Sequence, residues 1–249
     1  MSEPLVTIIT ATTGSKFLEY TLKSVAEQTY KNIQHLVVVD GKHRQGDAMK
    51  AIYKHGNAKT ESIVLPYSVG EGGFNGHRIY GATTYLMKGE WVIYLDDDNT
   101  LEKDHVASLV NAVTARPNVW AYSLRNIIDA DSNFLCQDNC ESLGQWHTVI
   151  NSNDFFVDVN CYMLPRNIAI EMSPIWYRKF RQPGIMEIDR AIYNFLSNRY
   201  PDFDSTYKYS VNYRAGNTAN SVQKEFFING NEVMSKYLNG KLPWVKEIK

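Results

Sequence analysis

Gly89-Glu90-Trp91-Val92-Ile93-Tyr94-Leu95-Asp96-Asp97-Asp98-Asn99 drives a short apolar run into three successive carboxylates. Trp, Val, Ile, Tyr and Leu in a row suit a strand buried on both faces, and the charges that follow at once put its end at an open edge. Three ionised Asp side chains repel one another there. A hard divalent cation, Mg²⁺ or Mn²⁺, would relieve that repulsion, because it takes oxygen ligands and needs only one or two protein carboxylates when a phosphate supplies others. An isolated acidic triplet is more often a turn with an Asn that caps the next helix, so the rest of the chain decides its meaning.

Working towards the N-terminus, Leu5-Val6-Thr7-Ile8-Ile9-Thr10 is a β-branched run followed by the small polar segment Ala11 to Ser15, with Ser15 placed to cap a helix. Phe17, Leu18, Leu22, Val25 and Ala26 then recur at helical spacing up to Gln28, and Ile33 to Val39 is a second strand that ends in Asp40-Gly41. Strand, helix and strand in that order predict a right-handed βαβ unit and a parallel sheet. Ligands of such sheets collect at the carboxyl ends of the strands, so the loop after Thr10, Asp40 and the Asp96 to Asp98 run are expected at one crevice. Ser62 to Leu65 reads as a third strand. The glycine-rich Gly70 to Gly76 follows, and it matches neither the P-loop nor the dinucleotide fingerprint. His77 to Met87 is a helical segment with Arg78 in its first turn, a candidate contact for phosphate or base.

Towards the C-terminus, Leu101 to Ala115 reads as an amphipathic helix capped by Asn99 or Thr100 and stopped at Arg116-Pro117. Val119 to Leu124 is a strand. Residues 126–155 are aromatic and turn-rich, with Trp146 and His147 a candidate acceptor platform, although core packing is the commoner use of a Trp. Val157 to Leu164 alternates like a strand. Glu187 and Asp189 open a helix whose Ile188, Ile192 and Phe195 or Leu196 face inward; both suit the helix dipole, and either could serve as a general base. Tyr207 to Tyr213 reads as a strand and Arg214 to Ser221 as a loop. The tail, 222–249, carries Phe226, Phe227, Met234 and Trp244, too apolar to stay in water, and is expected to pack on the domain or on a second copy of the chain.

The chain has 249 residues, long enough for one large α/β domain, and its 26 basic and 27 acidic side chains give a formal charge of −1. That balance offers no bulk attraction to nucleic acid or an anionic membrane, so any phosphate recognition is local. The three cysteines, at 136, 140 and 161, are an odd and sparse count for a disulfide framework, and the Cys136-x-x-x-Cys140 pair has no second Cys/His pair at zinc-like spacing to complete a metal site. The first residues lack a basic segment leading into an apolar one, and no stretch approaches about 18 continuous apolar residues, the length a membrane helix needs. The expectation is a soluble, cytoplasmic protein.

Together these segments resemble the inverting nucleotide-sugar glycosyltransferases of family 2. Pro4 to Thr12 is similar to their opening strand, and Leu18-Glu19-Tyr20-Thr21-Leu22-Lys23-Ser24-Val25-Ala26-Glu27-Gln28-Thr29-Tyr30 to their L-x-x-T-L-x-S-V-x-x-Q-T-Y helix. Val37 to Gly41 looks like the strand whose terminal Asp meets the nucleoside, Gly89 to Asp98 like the metal motif, and Ile188-Asp189-Arg190 stands where the family carries its base. Several motifs in the right order are far more specific than any one alone. The resemblance implies the GT-A fold, a Rossmann-like α/β architecture with a mixed, mostly parallel sheet and helices on both faces. It implies one domain, with a nucleotide-binding half (1–125), an acceptor-side half (126–221) and a packing segment (222–249). It implies a nucleotide-sugar donor, UDP-linked by preference, a sugar, lipid-linked or other hydroxyl acceptor, and Mn²⁺ or Mg²⁺. Thr10 and Thr12 would line the nucleotide pocket, Asp40 would meet base or ribose, and Arg78 base or phosphates. Asp96 would contact ribose or donor sugar, and Asp98 would hold the metal. Asp189 would be the base, with Glu187 as alternative. The chain departs from the family in having one carboxylate at Asp40-Gly41-Lys42 where many members have two, and in the richness of its glycine loop. Two other readings are a sugar nucleotidyltransferase, which would show an Arg-containing glycine loop straight after the first strand, and a non-catalytic binding protein of the same fold.

Overall fold

The computed structural model describes residues 3–114, 116, 119–150, 155–178, 187–217 and 221–245. Its first half is the anticipated alternation of strands and helices. β1 (Val6–Thr12) pairs in parallel with β2 (Ile33–Val39) and with β4 (Trp91–Tyr94), and β2 pairs in parallel with β3 (Thr60–Val64). α1 (Leu18–Ala26) and α2 (Gln45–His55) cover one face, where Leu18, Leu22, Ala48 and Ile52 close over Val37 and Val39. α3 (His77–Thr83) covers the other, with Ile79 against Leu36 and Val38. Ser15 does not cap α1: its hydroxyl accepts from Phe17 N at 3.2 Å within the preceding turn.

The second half makes the sheet mixed. β5 (Thr100–Leu101) precedes α4 (His105–Val113), and the long strands β6 (Trp120–Ile128) and β9 (Phe203–Arg214) pair in parallel. β7 (Phe134–Gln137) pairs antiparallel with β6, and β8 (Tyr162–Pro165) bridges β4 and β6 antiparallel to both. α5 (Arg166–Met172), α6 (Glu187–Arg199) and α7 (Lys224–Tyr237) complete the elements. Among the described residues the result is a nine-stranded mixed sheet of order β3-β2-β1-β4-β8-β6-β9-β5 with β7 beside β6, and helices on both faces. One apolar core runs through both halves, from Val6 and Ile93 through Leu124, Met163 and Ile192 to Phe227.

The helix after the acidic run, its cap and the strand expected from Val157 differ from expectation for identifiable reasons. The helix expected from Leu101 begins at His105, because Thr100 and Leu101 are drawn into pairing with Asn212 and Val211. Neither Asn99 nor Thr100 caps it. Asn99 instead accepts Arg214 N through Oδ1 at 2.9 Å, tying the acidic run to the end of β9. The alternating segment from Val157 is a strand only from Tyr162, since the Asp158 side chain accepts Asn160 N and winds Val159–Cys161 into a 3₁₀ turn.

Candidate active site

β4 delivers the acidic run to the carboxyl edge of the parallel strands, and the three carboxylates point to three different partners. Asp96 accepts from Tyr80 Oη on Oδ1 at 2.6 Å and from Asn160 Nδ2 on Oδ2 at 2.9 Å. Asp97 accepts from Thr12 Oγ1 at 2.5 Å and from Thr13 N at 3.3 Å, which latches the loop after β1 to the run. Asp98 accepts from Asn217 Nδ2 on one oxygen, and its backbone carbonyl accepts Arg214 Nε at 2.9 Å. Burial, then the charges of Asp96 and Asp97, pushes the Asp98 carboxyl from 3.8 up to about 7. Burial and Asp96 likewise bring Asp97 up to about 6, against the bond from Thr12. Burial also raises Asp96, and the bonds from Tyr80 and Asn160 oppose it.

The residues fit a hard divalent ion in kind. Asp98 is a hard oxygen donor whose charge is disfavoured by its surroundings, the condition that a cation relieves. Among the described residues no three His, Cys, Asp or Glu side chains converge to hold an ion by themselves. Any ion here would therefore draw most of its ligands from a bound phosphate and water.

The nucleotide side of the edge is organised differently from a row of free side chains. Asp40 Oδ1 accepts Val69 N at 2.7 Å, and Oδ2 accepts Ser68 Oγ at 2.8 Å and Gly70 N at 3.1 Å, so this carboxylate shapes the glycine loop. Position 70 requires glycine: a Cβ there would lie 2.4 Å from Asn75 O and 2.8 Å from Asp40 Oδ2. Thr10 is fully buried and its hydroxyl lies 3.0 Å from His35 Nε2, directed into the interior; burial holds that imidazole neutral, with its pKa down at about 3. Gly76 packs so closely that a Cβ would stand 2.9 Å from Ala11 Cβ, which seats the start of α3 against the end of β1. Arg78, one residue into that helix, lays its guanidinium 3.3 Å from the Phe74 ring centroid and 4.9 Å from that of Tyr177. It donates to Val69 O at 3.3 Å, and its Nε is buried without a partner among the described residues. The outer flank of α3 borders a cavity of about 480 Å³ lined by Gly81, Ala82, Tyr85, Ser173 and Tyr177.

On the opposite side, α6 buries Asp189 to 3 % exposure. Burial first, then the charges of Asp158 and Asp96, holds its carboxyl well above the usual carboxylate range, with Arg125 opposing. Asp189 and Asp96 thus share one electrostatic environment. Glu187 begins the same helix, and its side chain lies outside the described residues. Trp146 packs against Tyr207 and Trp244, at centroid distances of 5.6 and 5.7 Å, as a core ring does, and exposed His147 meets Phe155 at 4.8 Å.

Several residues that shape the site escape a reading of the sequence. Arg125, 2 % exposed on β6, binds Asp138 Oδ2 through Nε and Glu141 Oε2 through Nη2, both at 2.7 Å, and Asp158 Oδ2 through Nη1 at 2.5 Å. Arg214 braces the acidic run from below: besides Asp98 O it donates to Asp129 O at 2.7 Å and Ala130 O at 2.9 Å, and its face covers Phe17 at 4.4 Å. An Arg inside an otherwise strand-like sequence was the available signal in both cases, since a buried guanidinium requires carboxylate or carbonyl partners.

The sequence profile of glycosyl transferase family 2 matches residues 6–153. Among solved structures, TarS 1–349 of S. aureus is similar at 12 % identity and a TM-score of 0.60, over 84 % of this chain and 60 % of that one. The same protein in complex with UDP-GlcNAc gives 13 % and 0.62, over 93 % and 66 %. The longer TarS structure gives 12 % and 0.60, over 95 % and 43 %. The chain thus spans less than two thirds of the first of these, and at such identities the likeness is one of fold. No curated protein matches the chain.

Proposed function

Because the chain belongs to glycosyl transferase family 2, we propose that it transfers a sugar from a nucleotide-activated donor, UDP-linked by preference, to an acceptor hydroxyl with inversion at the anomeric carbon. The observation that carries this reading is that the Asp40-anchored loop and the Asp96 to Asp98 run latched to Thr12 stand at one sheet edge, with Asp189 on α6 buried where the charge of Asp96 acts on it. That the similar TarS structures were solved with UDP and UDP-GlcNAc supports a UDP-linked donor.

In this reading the Asp40 loop and the end of β1 receive the nucleoside, and Arg78 contributes its unpartnered Nε on the base or phosphate side. Asp98 holds Mn²⁺ or Mg²⁺, which when bound supplies Lewis-acid stabilisation to the departing diphosphate. Asp96 accepts from donor hydroxyls. Asp189 takes the proton of the acceptor hydroxyl as its oxygen bonds to the anomeric carbon and the bond to the diphosphate oxygen breaks on the opposite face. Burial raises the proton affinity of that carboxylate, so it takes up a proton more readily than a solvated one would.

A thermal-shift panel of nucleoside diphosphates and nucleotide sugars, with and without Mn²⁺, tests the donor claim, because a ligand of the native state raises its apparent stability. UDP with Mn²⁺ should raise Tm more than either alone. Asp189→Asn should keep that shift and lose transfer to any acceptor the parent glycosylates. A panel in which no nucleotide moves Tm would overturn the assignment.

A further inference from the structure

Asp96 differs from its two neighbours in being gripped on every polar atom that the strand end offers. Tyr80 holds Oδ1 and Asn160 Nδ2 holds Oδ2, while Asp96 N donates to Asn160 Oδ1 at 2.6 Å. That last bond fixes which end of the Asn160 amide is oxygen, since a backbone N–H can meet only an acceptor. The second Nδ2 hydrogen goes to Asp158 Oδ1 at 2.7 Å, which also accepts Asn160 N at 2.9 Å. Asp158 in turn is bound by Arg125, and Asp158 N donates to Ser142 Oγ at 2.8 Å. Asn160 is fully buried and Asp158 nearly so. A continuous set of bonds therefore runs from the guanidinium on β6 to the carboxylate at the tip of β4. Tyr80 is fixed independently, its ring 5.2 Å from those of both Tyr94 and Trp176.

This much restraint is more than a strand end requires. Asp97, beside it, is bound by the end of β1 and the loop that follows, through Thr12 Oγ1, Thr13 N and the Ser15 backbone, and has no tie to the Asn160 network. A carboxylate held on both oxygens keeps its remaining lone pairs in fixed directions, which suits two hydroxyl donors of set geometry better than a mobile ion. The charge of Asp96 acts on Asp189, the residue that the donor reading sets beside the reacting carbon. Resting on the donor reading above, we infer that Asn160 and Tyr80 are positioning residues that aim Asp96 at hydroxyls of the transferred sugar, leaving the diphosphate to Asp98.

UDP and UDP-GlcNAc, each with Mn²⁺, serve as probes for the parent, Asn160→Ala and Tyr80→Phe, read by calorimetric affinity, by the rate of UDP release and by Tm. Tyr80→Phe removes one hydroxyl and keeps the ring, so it tests the claim even if Asn160→Ala fails to fold. Both variants should bind UDP like the parent, yet bind UDP-GlcNAc more weakly or release UDP about 10- to 100-fold more slowly, the scale of a misplacement near 1 Å. Equal weakening of both probes would mean that the two residues serve only the fold, and no change with either probe would mean that Asp96 needs no aiming; each result overturns the inference. A parent that binds neither probe overturns the UDP-linked donor on which the inference rests, a result visible before any variant is made.

Discussion

Asp98 combines an ordinary residue type with an uncommon surrounding, and the consequence is measurable. With its carboxyl at about 7 in the folded chain, against 3.8 ordinarily, the folded state keeps a proton over a pH range in which the unfolded state has lost it. Its contribution to stability therefore falls as pH rises from about 4 towards 7 and is level above that. Buried His35 and His105, both near 3, and His77, near 4, act in the opposite sense, losing stability as pH drops below 6.5. Those histidines are common to the parent and to Asp98→Asn, so comparing the two isolates the carboxyl. The amide can still accept from Asn217, and the variant should gain Tm relative to the parent progressively between about pH 4 and 7, and keep a level advantage above that, in metal-free buffer. Mn²⁺ with UDP should reverse that order at pH 8. A difference independent of pH would contradict the charge argument. The candidacy of Asp96 and Asp98 was legible in sequence because charge at the end of an apolar strand is conspicuous. The inward turn of Thr10 and the use of Thr12 to hold Asp97 were not, since a threonine hydroxyl serves core, turn or ligand equally well and only the partner decides.

At the scale of elements, β6 illustrates what a linear reading loses. The sequence reads as a strand over Val119 to Leu124, yet the strand continues through Arg125 and Asn126 to Ile128. Both polar residues are satisfied by partners far along the chain: Arg125 by Asp138, Glu141 and Asp158, and Asn126 by Asn212 at 3.0 Å and by Tyr209 O at 3.1 Å. Local pattern cannot anticipate a buried cation whose three counter-charges arrive from later segments. The helices and strands before residue 100 were legible because each is decided by its own periodicity, whereas β5, β7 and the 3₁₀ turn at Val159 exist through pairing and capping that sequence alone does not display. Arg125→Met, close in length but uncharged, should lower stability by about 3–5 kcal/mol, because Asp138 and Asp158 are left buried without their cation. Urea denaturation would measure it, and a loss below about 1 kcal/mol would mean that the cluster reorganises around other donors.

For the molecule as a whole, the tail is the last layer of the core. The expectation that 222–249 packs on the domain or on another copy is decided in part: Phe227, Met234 and Trp244 are buried within this chain. α7 lies so close to the segment after β7 that a Cβ at Gly230 would stand 2.6 Å from Cys140 Sγ. Asn231 Nδ2 donates to Gln137 O at 2.7 Å, Asn139 N donates to Asn231 Oδ1 at 2.9 Å, and Trp244 Nε1 reaches Asn139 Oδ1 at 2.8 Å. Phe227 also lies beneath Arg125, whose guanidinium carbon is 5.4 Å from the ring centroid, so the tail covers the ionic cluster that anchors Asn160 and, through it, Asp96. Removing that ring should therefore weaken fold and site together. Phe227→Ala is expected to cost about 3–5 kcal/mol, the range for an aromatic lost from a packed interior. Ile228→Ala, next to it but 43 % exposed, should change stability by less than about 0.5 kcal/mol. Urea midpoints for the two variants, taken with UDP affinity under conditions where each remains folded, would check both halves of the argument. If Ile228→Ala proves as costly as Phe227→Ala, the outer face of α7 is covered in solution by something other than this chain, and sedimentation of the parent would then show whether the cover is a second copy.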